Sequence, residues 1–592
     1  MSDPKQQGPI NWSDFIKQAQ ESGGGSGLGA DFDKIKSRFS HLKKRTLIIA
    51  IFVALLVIAL AYWWFHPPIN IHSIDLWGFL ILILAVITFV LYVFRQIYQT
   101  GVGKREASPK KAKLFTRLMI IPIAIACVGA IGWVASQSFF PGNAEKFSTI
   151  LTTEDADFAT DIQEVDYSEI PFIDKDSAVL LGNRTMGTMA DYVSQFEISD
   201  LYSQINYKGQ PVRVSPLNYA DFFKWWANKD GGIPAYVIVN MSTQDTEIVR
   251  LENPIRYSDS DPFFYNVDRH VQLSYPFYMF DEKSFEIDDE GNPYWIYPIQ
   301  KRTIGLFGGT TISGIVLCNA STGECQEIAV EDVPEWIDRV YPAELLIQQY
   351  NWSGALSGGW INSWLGQNGV KQTTPSTDGK SGFNYIAKDD DVWVYSGVTS
   401  ATADNSIIGC VMINQRTGES KFYSVAGATE ESAMRSAEGQ VQHLQYDATF
   451  PLLLNVDGQP TYFMALKDAA GLVKMYAMVD IQRYQNVAVG DTLGATEKSY
   501  EQLLVNQGIN VGGSDAMATP AAGQTSGTIA SISPVVIDGN SHYYLILDGQ
   551  QAIFDCAVAS VVDIVRYKVG DVIVLNHGAS EGNVVVVDSI GE

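Results

Sequence analysis

The 592-residue sequence has few of the residues on which enzyme active sites are usually recognised. It contains 5 cysteines and 7 histidines, and it lacks both a CxxC pair and an HExxH metal-binding helix. The four histidines beyond residue 138 lie far apart in the chain. The sequence therefore predicts a protein that is not an enzyme and that holds no cofactor and no metal.

Basic residues are scarce outside the first quarter of the chain. Residues 1–137 contain 15 Lys and Arg against 7 Asp and Glu, a net charge of +8. The whole chain has 41 and 66, which leaves 26 and 59 for residues 138–592, a net charge of −33. Nucleic-acid binding needs clustered Lys and Arg for phosphate contacts. We therefore expect no nucleic-acid partner for residues 138–592.

Long apolar runs are confined to the first quarter, at residues 46–65, 74–94 and 118–137. A helix of about 20 residues crosses the ~30 Å hydrocarbon layer of a bilayer. The alternative, long buried helices of a soluble protein, does not explain why all three runs have matching basic flanks. The sequence predicts a three-span membrane anchor at residues 46–137, with the lipid bilayer as a partner.

The distribution of Lys and Arg around these runs predicts their orientation. Six basic residues lie between residues 34 and 45, just before the first run; none lies between the first and second, and seven lie between residues 95 and 117. Cytoplasmic loops carry the excess of positive charge. We expect a cytoplasmic membrane protein with a flexible cytoplasmic tail at residues 1–45 and a large C-terminal ectodomain outside.

A degenerate repeat follows the anchor. Its first half is a tight turn before a strand, at residues 209–211, 291–293, 389–391 and 458–460. Its second half is an apolar strand that ends in Asn or Asp before another tight turn. Helical patterns lie between the copies, at residues 176–195, 332–349, 429–444 and 496–504. The predicted unit is a helix followed by three or four antiparallel strands, and its second-half strands end at Asn240, Asn319, Asn414 and Asp480.

The repeat resembles the PepSY-like modules of uncharacterised, membrane-anchored bacterial envelope proteins. The resemblance covers roughly residues 150–505 and implies an α+β fold, a helix against a small antiparallel sheet. It implies no single chemistry, so no functional residue is transferred from it. The residues that carry it are 285–297, 314–330, 409–425, 432–442 and 451–489.

Composition divides the rest of the ectodomain. Residues 508–526 are rich in Gly, Ala, Ser and Thr and predict a linker after the repeats, which occupy residues 138–505. Short β patterns then recur through residues 527–592, where they predict a small OB-like or SH3-like β-barrel. This segment has 2 basic against 8 acidic residues, which argues against an OB-like barrel that binds nucleic acid.

Aromatic clusters are the candidate binding residues. Aromatic rings beside amides can stack on sugars or anchor a protein partner. They can equally pack in the core or rest on the lipid surface. The sequence alone does not distinguish a binding role from these two structural roles. The candidates are Trp225, Trp226, Trp352, Trp360 and Trp364.

Two cysteines flank one of the repeat turns. If Asn319 pairs with Glu324, then Cys318 and Cys325 face each other across two strands and can form a disulfide outside the cell. Acidic runs at residues 259–261, 288–290 and 389–391 raise calcium binding as an alternative to plain turn formation.

The expected function is non-catalytic: binding or scaffolding at the outer face of the membrane, with a protein or cell-wall partner. Repeated units without catalytic groups suit an extended interaction surface. One alternative is a regulator or inhibitor of an extracytoplasmic peptidase, which rests on analogy of fold. Another is a cell-envelope hydrolase whose active site is assembled across the repeats.

Overall fold

The computed structural model describes residues 44–100, 107–162, 170–375, 382–400, 406–506, 509, 523–537, 540–550, 552–558, 561–577 and 584–591. Residues 1–43 of the predicted cytoplasmic tail and most of the predicted linker lie outside these ranges. The chain forms two compact units. The helical unit contains the chain up to Ala135 with two short loops, Tyr275–Tyr278 and Gly305–Phe307, and the sheet unit contains the remainder.

Two stretches of the helical unit are long and apolar enough to cross a membrane, Ile74–Thr100 and Pro109–Ala135. The sequence predicted three. In the first helix the side chains are described from Phe52 onward, and Phe52–Phe65 is shorter than a membrane span. The helices of this unit are α1 (Lys44–Phe65), α2 (Ile74–Thr100), α3 (Pro109–Leu118) and α4 (Ile120–Ala135).

Small residues let α2 and α4 pack closely. A Cβ atom added at Gly129 would lie 2.7 Å from the Trp77 ring, so only glycine fits there. The Trp77 indole N–H donates to the carbonyl of Ile71, 2.8 Å away, which holds the ring in place. On α3, the Phe115 ring stacks on Phe94 and on Tyr98, each at 5.5 Å. Close contact at glycine is the usual basis of helix association in an apolar environment.

The sheet unit begins with short elements that lead into the repeats. The Asp157 carboxylate accepts a hydrogen bond from the Thr160 N–H and caps a single helical turn. The strand of this segment joins the sheet of the third repeat, described below, as a parallel neighbour. The elements are α5 (Asn143–Ser148), β1 (Thr153–Ala156) and α6 (Phe158–Asp161).

Four modules of one topology follow, each a helix and then five strands, which is more than the three or four strands predicted. Within each sheet the third strand pairs with the first, second and fourth, and the fifth pairs with the fourth. Module 1 also carries a helix, α8, between its third and fourth strands. Its elements are α7 (Lys175–Met186), β2 (Phe196–Ile198), β3 (Ser203–Tyr207), β4 (Gln210–Tyr219), α8 (Phe222–Asn228), β5 (Ile233–Asn240) and β6 (Thr246–Ile255).

Module 2 contains a helix that the sequence analysis did not predict, Val267–Ser274. Eight residues provide little more than two turns, so the periodic signal is short. The cysteine-flanked turn joins the last two strands of this module. Its elements are α9 (Val267–Ser274), β7 (Met279–Phe280), β8 (Ser284–Ile287), β9 (Pro293–Ile304), β10 (Gly308–Asn319) and β11 (Cys325–Ala329).

Module 3 has its helix later than predicted. The helix begins after Pro342, because proline has no N–H and suits the first turn of a helix rather than its interior. A two-stranded ribbon, β15 with β18, accompanies the sheet. The elements are α10 (Ala343–Leu356), β12 (Lys371–Thr373), β13 (Asn384–Lys388), β14 (Asp391–Ser400), β15 (Ser406–Ile407), β16 (Gly409–Asn414), β17 (Ser420–Tyr423) and β18 (Gly427–Ala428).

Module 4 shares a hydrophobic core with module 3. Tyr395 and Tyr423 of module 3 pack in the same cluster as Tyr462 of module 4, and all three are fully buried. The elements are α11 (Glu430–Gln440), β19 (Asp447–Ala448), β20 (Leu452–Val456), β21 (Gln459–Lys467), β22 (Val473–Asp480) and β23 (Val487–Gly490), followed by α12 (Leu493–Asn506).

A five-stranded closed barrel ends the chain, which confirms the predicted small barrel. The strands close in the order β24-β25-β26-β28-β27, and β26 and β28 are parallel. A barrel leaves no open sheet edge for unwanted pairing. The strands are β24 (Gly523–Ile537), β25 (Asn540–Leu547), β26 (Ile553–Ala557), β27 (Val572–His577) and β28 (Val584–Ile590).

The same side-chain cap forms the second turn of every module. The side-chain oxygen of Asn240 accepts hydrogen bonds from the N–H groups of Ser242 and Thr243, both at 2.9 Å. Equivalent pairs of hydrogen bonds form at the other three positions. The predicted repeat therefore has a physical basis in these turns, whose capping residues are Asn240, Asn319, Asn414 and Asp480.

Removal of one cap should destabilise its module. In Asn240→Ala two backbone N–H groups lose their acceptor, and we expect a cost of about 1–2 kcal/mol in the free energy of unfolding. Asn240→Asp keeps the acceptor and serves as the control. Chemical denaturation of both variants checks this, and equal losses in the two would contradict the role of the oxygen.

Two carboxyl groups are buried at the contact of modules 2 and 3. Glu286 on β8 accepts the N–H of Asp338 at 2.9 Å, and one oxygen of Asp338 accepts the N–H of Asn206 at 2.6 Å. The other oxygen of Asp338 is buried and has no hydrogen-bond partner in the described chain. Burial and the neighbouring Glu286 charge raise the pKa of Asp338 well above its usual value.

This raised pKa predicts a pH-dependent stability. The folded state holds the Asp338 proton more tightly than the unfolded state, so the free energy of unfolding falls as the pH rises from the unfolded-state pKa to the folded-state pKa. Asp338→Asn should therefore gain about 1–2 kcal/mol near pH 7. The gain should disappear as the pH falls below the unfolded-state pKa of about 4. Denaturation at several pH values checks this, with the exposed Asp289→Asn as the control.

Candidate functional site

The residue that defines the candidate site is Arg213, in the middle of strand β4. Its side chain is 6% exposed, although arginine is almost never buried unless it is paired. One terminal N–H group donates to the Gln204 side-chain oxygen at 3.1 Å, across the strand pair. The guanidinium lies over the Tyr385 ring, 6.0 Å from its centroid. Both contacts are with uncharged groups.

The positive charge of Arg213 has no counterion in the described part of the chain. Its Nε–H is buried and has no hydrogen-bond partner. Burial lowers the pKa of the guanidinium, and nearby Tyr385 and Asp174 oppose this change. Arginine nevertheless remains protonated in proteins. A buried charge without a direct ion-pair partner is costly, so an anion bound beside Arg213 would be stabilised.

A cavity of about 180 Å³ adjoins Arg213. Its walls come from module 1, module 3 and module 4, so no single repeat contains it. Aromatic rings form much of the lining, and the polar side chains of Arg213, Asp174, Asn384 and Thr449 share it. The aromatic lining residues are Phe172, Phe383, Tyr385, Phe450 and Phe463.

The one carboxylate in the lining, Asp174, is already engaged. It lies 2.5 Å from the Lys467 ammonium, and it also caps α7 by accepting the Ser177 N–H at 2.9 Å. Burial opposes ionisation of Asp174, but the Lys467 and Ser177 hydrogen bonds outweigh it and lower its pKa. Asp174 and Lys467 thus neutralise each other, and the Arg213 charge remains for a ligand.

Two polar side chains of the lining, Asn384 and Thr449, have hydrogen-bond partners within the protein. The Asn384 amide donates to the Phe450 carbonyl at 2.9 Å, and the Thr449 hydroxyl accepts the Ala465 N–H at 3.0 Å. A cavity of about 150 Å³ holds one benzene molecule. Carboxylates bind arginine through two parallel hydrogen bonds. The site therefore fits one small organic carboxylate with a flat apolar body.

Sequence reasoning missed Arg213 because its local pattern is ordinary. Val212, Arg213 and Val214 alternate as in a strand with one face in water. The third strands of modules 1, 3 and 4 are instead buried almost throughout. The guanidinium is buried only because residues of modules 3 and 4 pack beside β4.

The predicted aromatic residues divide between surface and interior. Trp226 on α8 is 63% exposed with Lys229 over its ring, and Trp364 is 68% exposed and stacks on Trp360. Trp225 is buried, and its indole N–H donates to Asp261 at 2.6 Å. Trp352 packs edge-on against Phe147 at 4.8 Å. Trp225 and Trp352 therefore support the fold, and Trp226, Trp360 and Trp364 remain as surface candidates.

The structure also shows the surroundings of the predicted cysteine pair and of the three acidic runs. Cys318 and Cys325 are paired directly across β10 and β11, and both are thiols in the structure. The acidic runs have protein partners: Asp288 caps its own turn, Asp391 pairs with Arg416, and Asp259 pairs with Lys283. Within the described residues, the group with metal-ligand geometry is a different one, formed by the two cysteines with His270.

Comparisons with known proteins identify no family. No protein-family model matches the chain, and no curated protein is similar to it. An endo-1,4-beta-xylanase from Bacteroides thetaiotaomicron has 10% identity and a TM-score of 0.15, over 67% of this chain and 97% of that one. An exo-beta-1,3-galactanase from Phanerochaete chrysosporium has 8% identity and a TM-score of 0.16, over 66% and 92%.

An alpha-L-arabinofuranosidase from Lactobacillus brevis is similar at the same level, with 6% identity and a TM-score of 0.13 over 65% and 94% of the two chains. Scores this low do not establish a common fold. The three likenesses therefore carry no argument about the activity of this chain.

Proposed function

We propose that this protein is a non-catalytic, membrane-anchored binding protein of a bacterial envelope, whose ectodomain binds a small organic carboxylate. The observation that carries the proposal is Arg213, a buried cation without a counterion beside a cavity of about 180 Å³. A binding role needs a recognition group and a concave volume beside it, and Arg213 and the adjoining cavity support that role. The four modules, which resemble PepSY-like units, would provide the rigid frame.

Location outside the cytoplasmic membrane rests on the apolar runs and their basic flanks. Two described helices are long and apolar enough to cross a membrane. The run at residues 46–65, which precedes them in the chain, would add one more span and bring the number to three. Three spans with a cytoplasmic N-terminus leave the modules and the barrel outside. The strongly acidic ectodomain is compatible with a soluble exposed surface.

Protease accessibility tests this topology. Protease added to intact spheroplasts should remove the chain beyond Ala135 and leave the anchor with its N-terminal tail protected. Protection of the modules, with cleavage only after lysis, would contradict the orientation.

Ligand binding is tested by calorimetry with the full chain in detergent. The probes are acetate, benzoate, phenylacetate and inorganic phosphate, and each aromatic acid is paired with its neutral amide. We expect a carboxylate to bind with one site per chain and its amide to bind at least about tenfold more weakly, since hydrogen bonds to charged groups contribute about 1.5–3 kcal/mol. Absence of binding by every acid would overturn the proposed ligand class.

The exposed aromatic residues support a second contact, with a protein or cell-wall partner. Trp360 stacks on Trp364 at 6.1 Å and contacts Phe139, which lies four residues beyond the end of α4. Crosslinking capture from native membranes should lose a partner when Trp226 or Trp364 is changed to Ala. An unchanged set of captured partners would exclude these rings as the recognition surface.

A further inference from the structure

Three metal-ligating side chains from distant parts of module 2 meet at one point. Cys318 is the last residue but one of β10, Cys325 begins β11, and His270 lies on α9. Their candidate ligand atoms are all within 4.8 Å of one another. Cys318 is fully buried, and Cys325 and His270 are partly buried. The group is therefore reachable from solvent on one side.

The capped turn explains why the two cysteines face each other. The Asn319 N–H donates to the Glu324 carbonyl at 2.9 Å, which closes the hairpin. The next pair along the strands, Cys318 with Cys325, is then a non-hydrogen-bonded pair. Side chains are closest at such positions, where Cα atoms are about 4.5 Å apart.

His270 is held in place by the same turn. One ring nitrogen, Nε2, lies 2.7 Å from the Gly323 carbonyl oxygen. The Tyr257 ring covers the imidazole at a centroid distance of 4.3 Å. Gly323 has a positive φ of 76°, and a Cβ atom there would collide with Tyr257. Metal-bound histidines commonly make an outer hydrogen bond to a backbone carbonyl, and Gly323 is placed to accept one.

The two thiols are electrostatically unequal. The Cys318 thiol and the His270 ring lower the pKa of Cys325 to about 6, while the hydrogen bond to Cys325 and burial raise the pKa of Cys318. Of the two, Cys325 is therefore the thiol that loses its proton more readily. The thiolate is the form of cysteine that binds metals.

The other modules provide an internal comparison. The positions equivalent to Cys318 and Cys325 are occupied by Val239 and Thr246 in module 1, and by Ile413 and Ser420 in module 3. The capped hairpin forms there without cysteine. The cysteines of module 2 are therefore not needed to form the turn, which leaves another role open to them.

We propose that His270, Cys318 and Cys325 bind one thiophilic divalent cation of the zinc class, with a fourth position open to water. Two thiolates and one imidazole are a known zinc ligand set, and three protein ligands with an open position characterise reactive rather than purely structural sites. Zinc–ligand bonds of 2.0–2.3 Å place ligand atoms about 3.3–3.8 Å apart. A small contraction of the present group reaches that geometry.

Cobalt substitution tests the site in the full chain, in detergent and under a phosphine reductant. Co²⁺ should bind with one equivalent per chain and produce a thiolate-to-cobalt charge-transfer band, which Zn²⁺ then removes. Cys318→Ser, Cys325→Ser and His270→Gln should each weaken binding by at least about 10–100-fold, the loss that even outer partners of metal sites cause. The matched controls, Cys127→Ser and the exposed His443→Gln, should bind as the unmodified chain does.

A second readout needs no variant. Zn²⁺ should protect Cys325 of the unmodified chain from alkylation, and a chelator should restore its reactivity. Absence of the charge-transfer band, or its persistence in both cysteine variants, overturns the proposal. So does a Cys318–Cys325 disulfide in the chain isolated without reductant whose reduction yields no metal binding, which would identify the pair as a structural crosslink.

Discussion

Arg213→Met should strongly weaken carboxylate binding without weakening the fold. Methionine keeps an unbranched apolar stem along β4 and removes the guanidinium. The loss of one partner of a buried charge pair costs about 2–5 kcal/mol, so we expect binding to weaken at least about 30-fold. Calorimetry with the tightest-binding acid of the panel measures the change.

Arg213→Met is not expected to lower the free energy of unfolding, although it replaces a buried residue. Replacement of a buried ion by an apolar residue of similar size is neutral or stabilising by about 1–4 kcal/mol. Because Arg213 has neutral partners, Gln204 and Tyr385, its removal leaves no opposite charge unpaired. The free energy of unfolding without ligand should therefore stay constant or rise.

Arg250→Met is the matched control. Arg250 also lies over a tyrosine ring, Tyr192, at 5.2 Å, but on the exposed strand β6. Its replacement should change stability by no more than about 0.5 kcal/mol and leave ligand binding unchanged. A loss of 3 kcal/mol or more in Arg213→Met alone would mean that the charge is balanced within the protein. That result would exclude a ligand site.

Trp295→Ala should destabilise module 2 by about 3–5 kcal/mol, the range for removal of a large buried aromatic side chain. Trp295 on β9 is 1% exposed and packs edge-on against Phe285 at 5.2 Å. Its indole N–H donates to the Tyr257 carbonyl at 2.8 Å, and Cys318 is its neighbour across the strands. The substitution removes packing and leaves that carbonyl without its partner.

The midpoint of chemical denaturation and hydrogen exchange of module 2 check this expectation. Trp364→Ala is the control, since Trp364 is 68% exposed and its loss should cost no more than about 0.5 kcal/mol. Trp295→Ala should also weaken Co²⁺ binding, because Tyr257 and Cys318 lose their support. Equal stability losses in the two variants would contradict the assigned core.

Local patterns were sufficient to predict the repeat. Turn residues with positive φ, such as Gly209 and Gly458, and the capping residues at the ends of the fourth strands act within a few positions of themselves. The resulting four-fold pattern and the terminal barrel are present. The number of strands was underestimated, because two-residue strands such as Met279–Phe280 leave almost no alternation to detect.

The candidate binding residues and the His270–Cys318–Cys325 group could not be predicted from local patterns, because their members meet only through tertiary packing. Trp225 and Trp226 are adjacent tryptophans in the sequence. Trp225 is buried and donates a hydrogen bond to Asp261, whereas Trp226 is exposed to solvent. His270 lies 48 positions before Cys318, on a helix too short to leave a periodic signal. Nothing in the intervening sequence indicates that they meet.

The sequence by itself determined the apolar helices, the turn-and-strand repeat, the acidic charge of residues 138–592 and the small barrel, because length, charge and turn chemistry are properties of short segments. Only the tertiary structure decided which side chains are buried and which of them contact one another. A period of two along β4 places Arg213 on one face of its sheet, but it does not say what covers that face. The modules packed against it decide that, and they bury the Arg213 guanidinium beside a cavity.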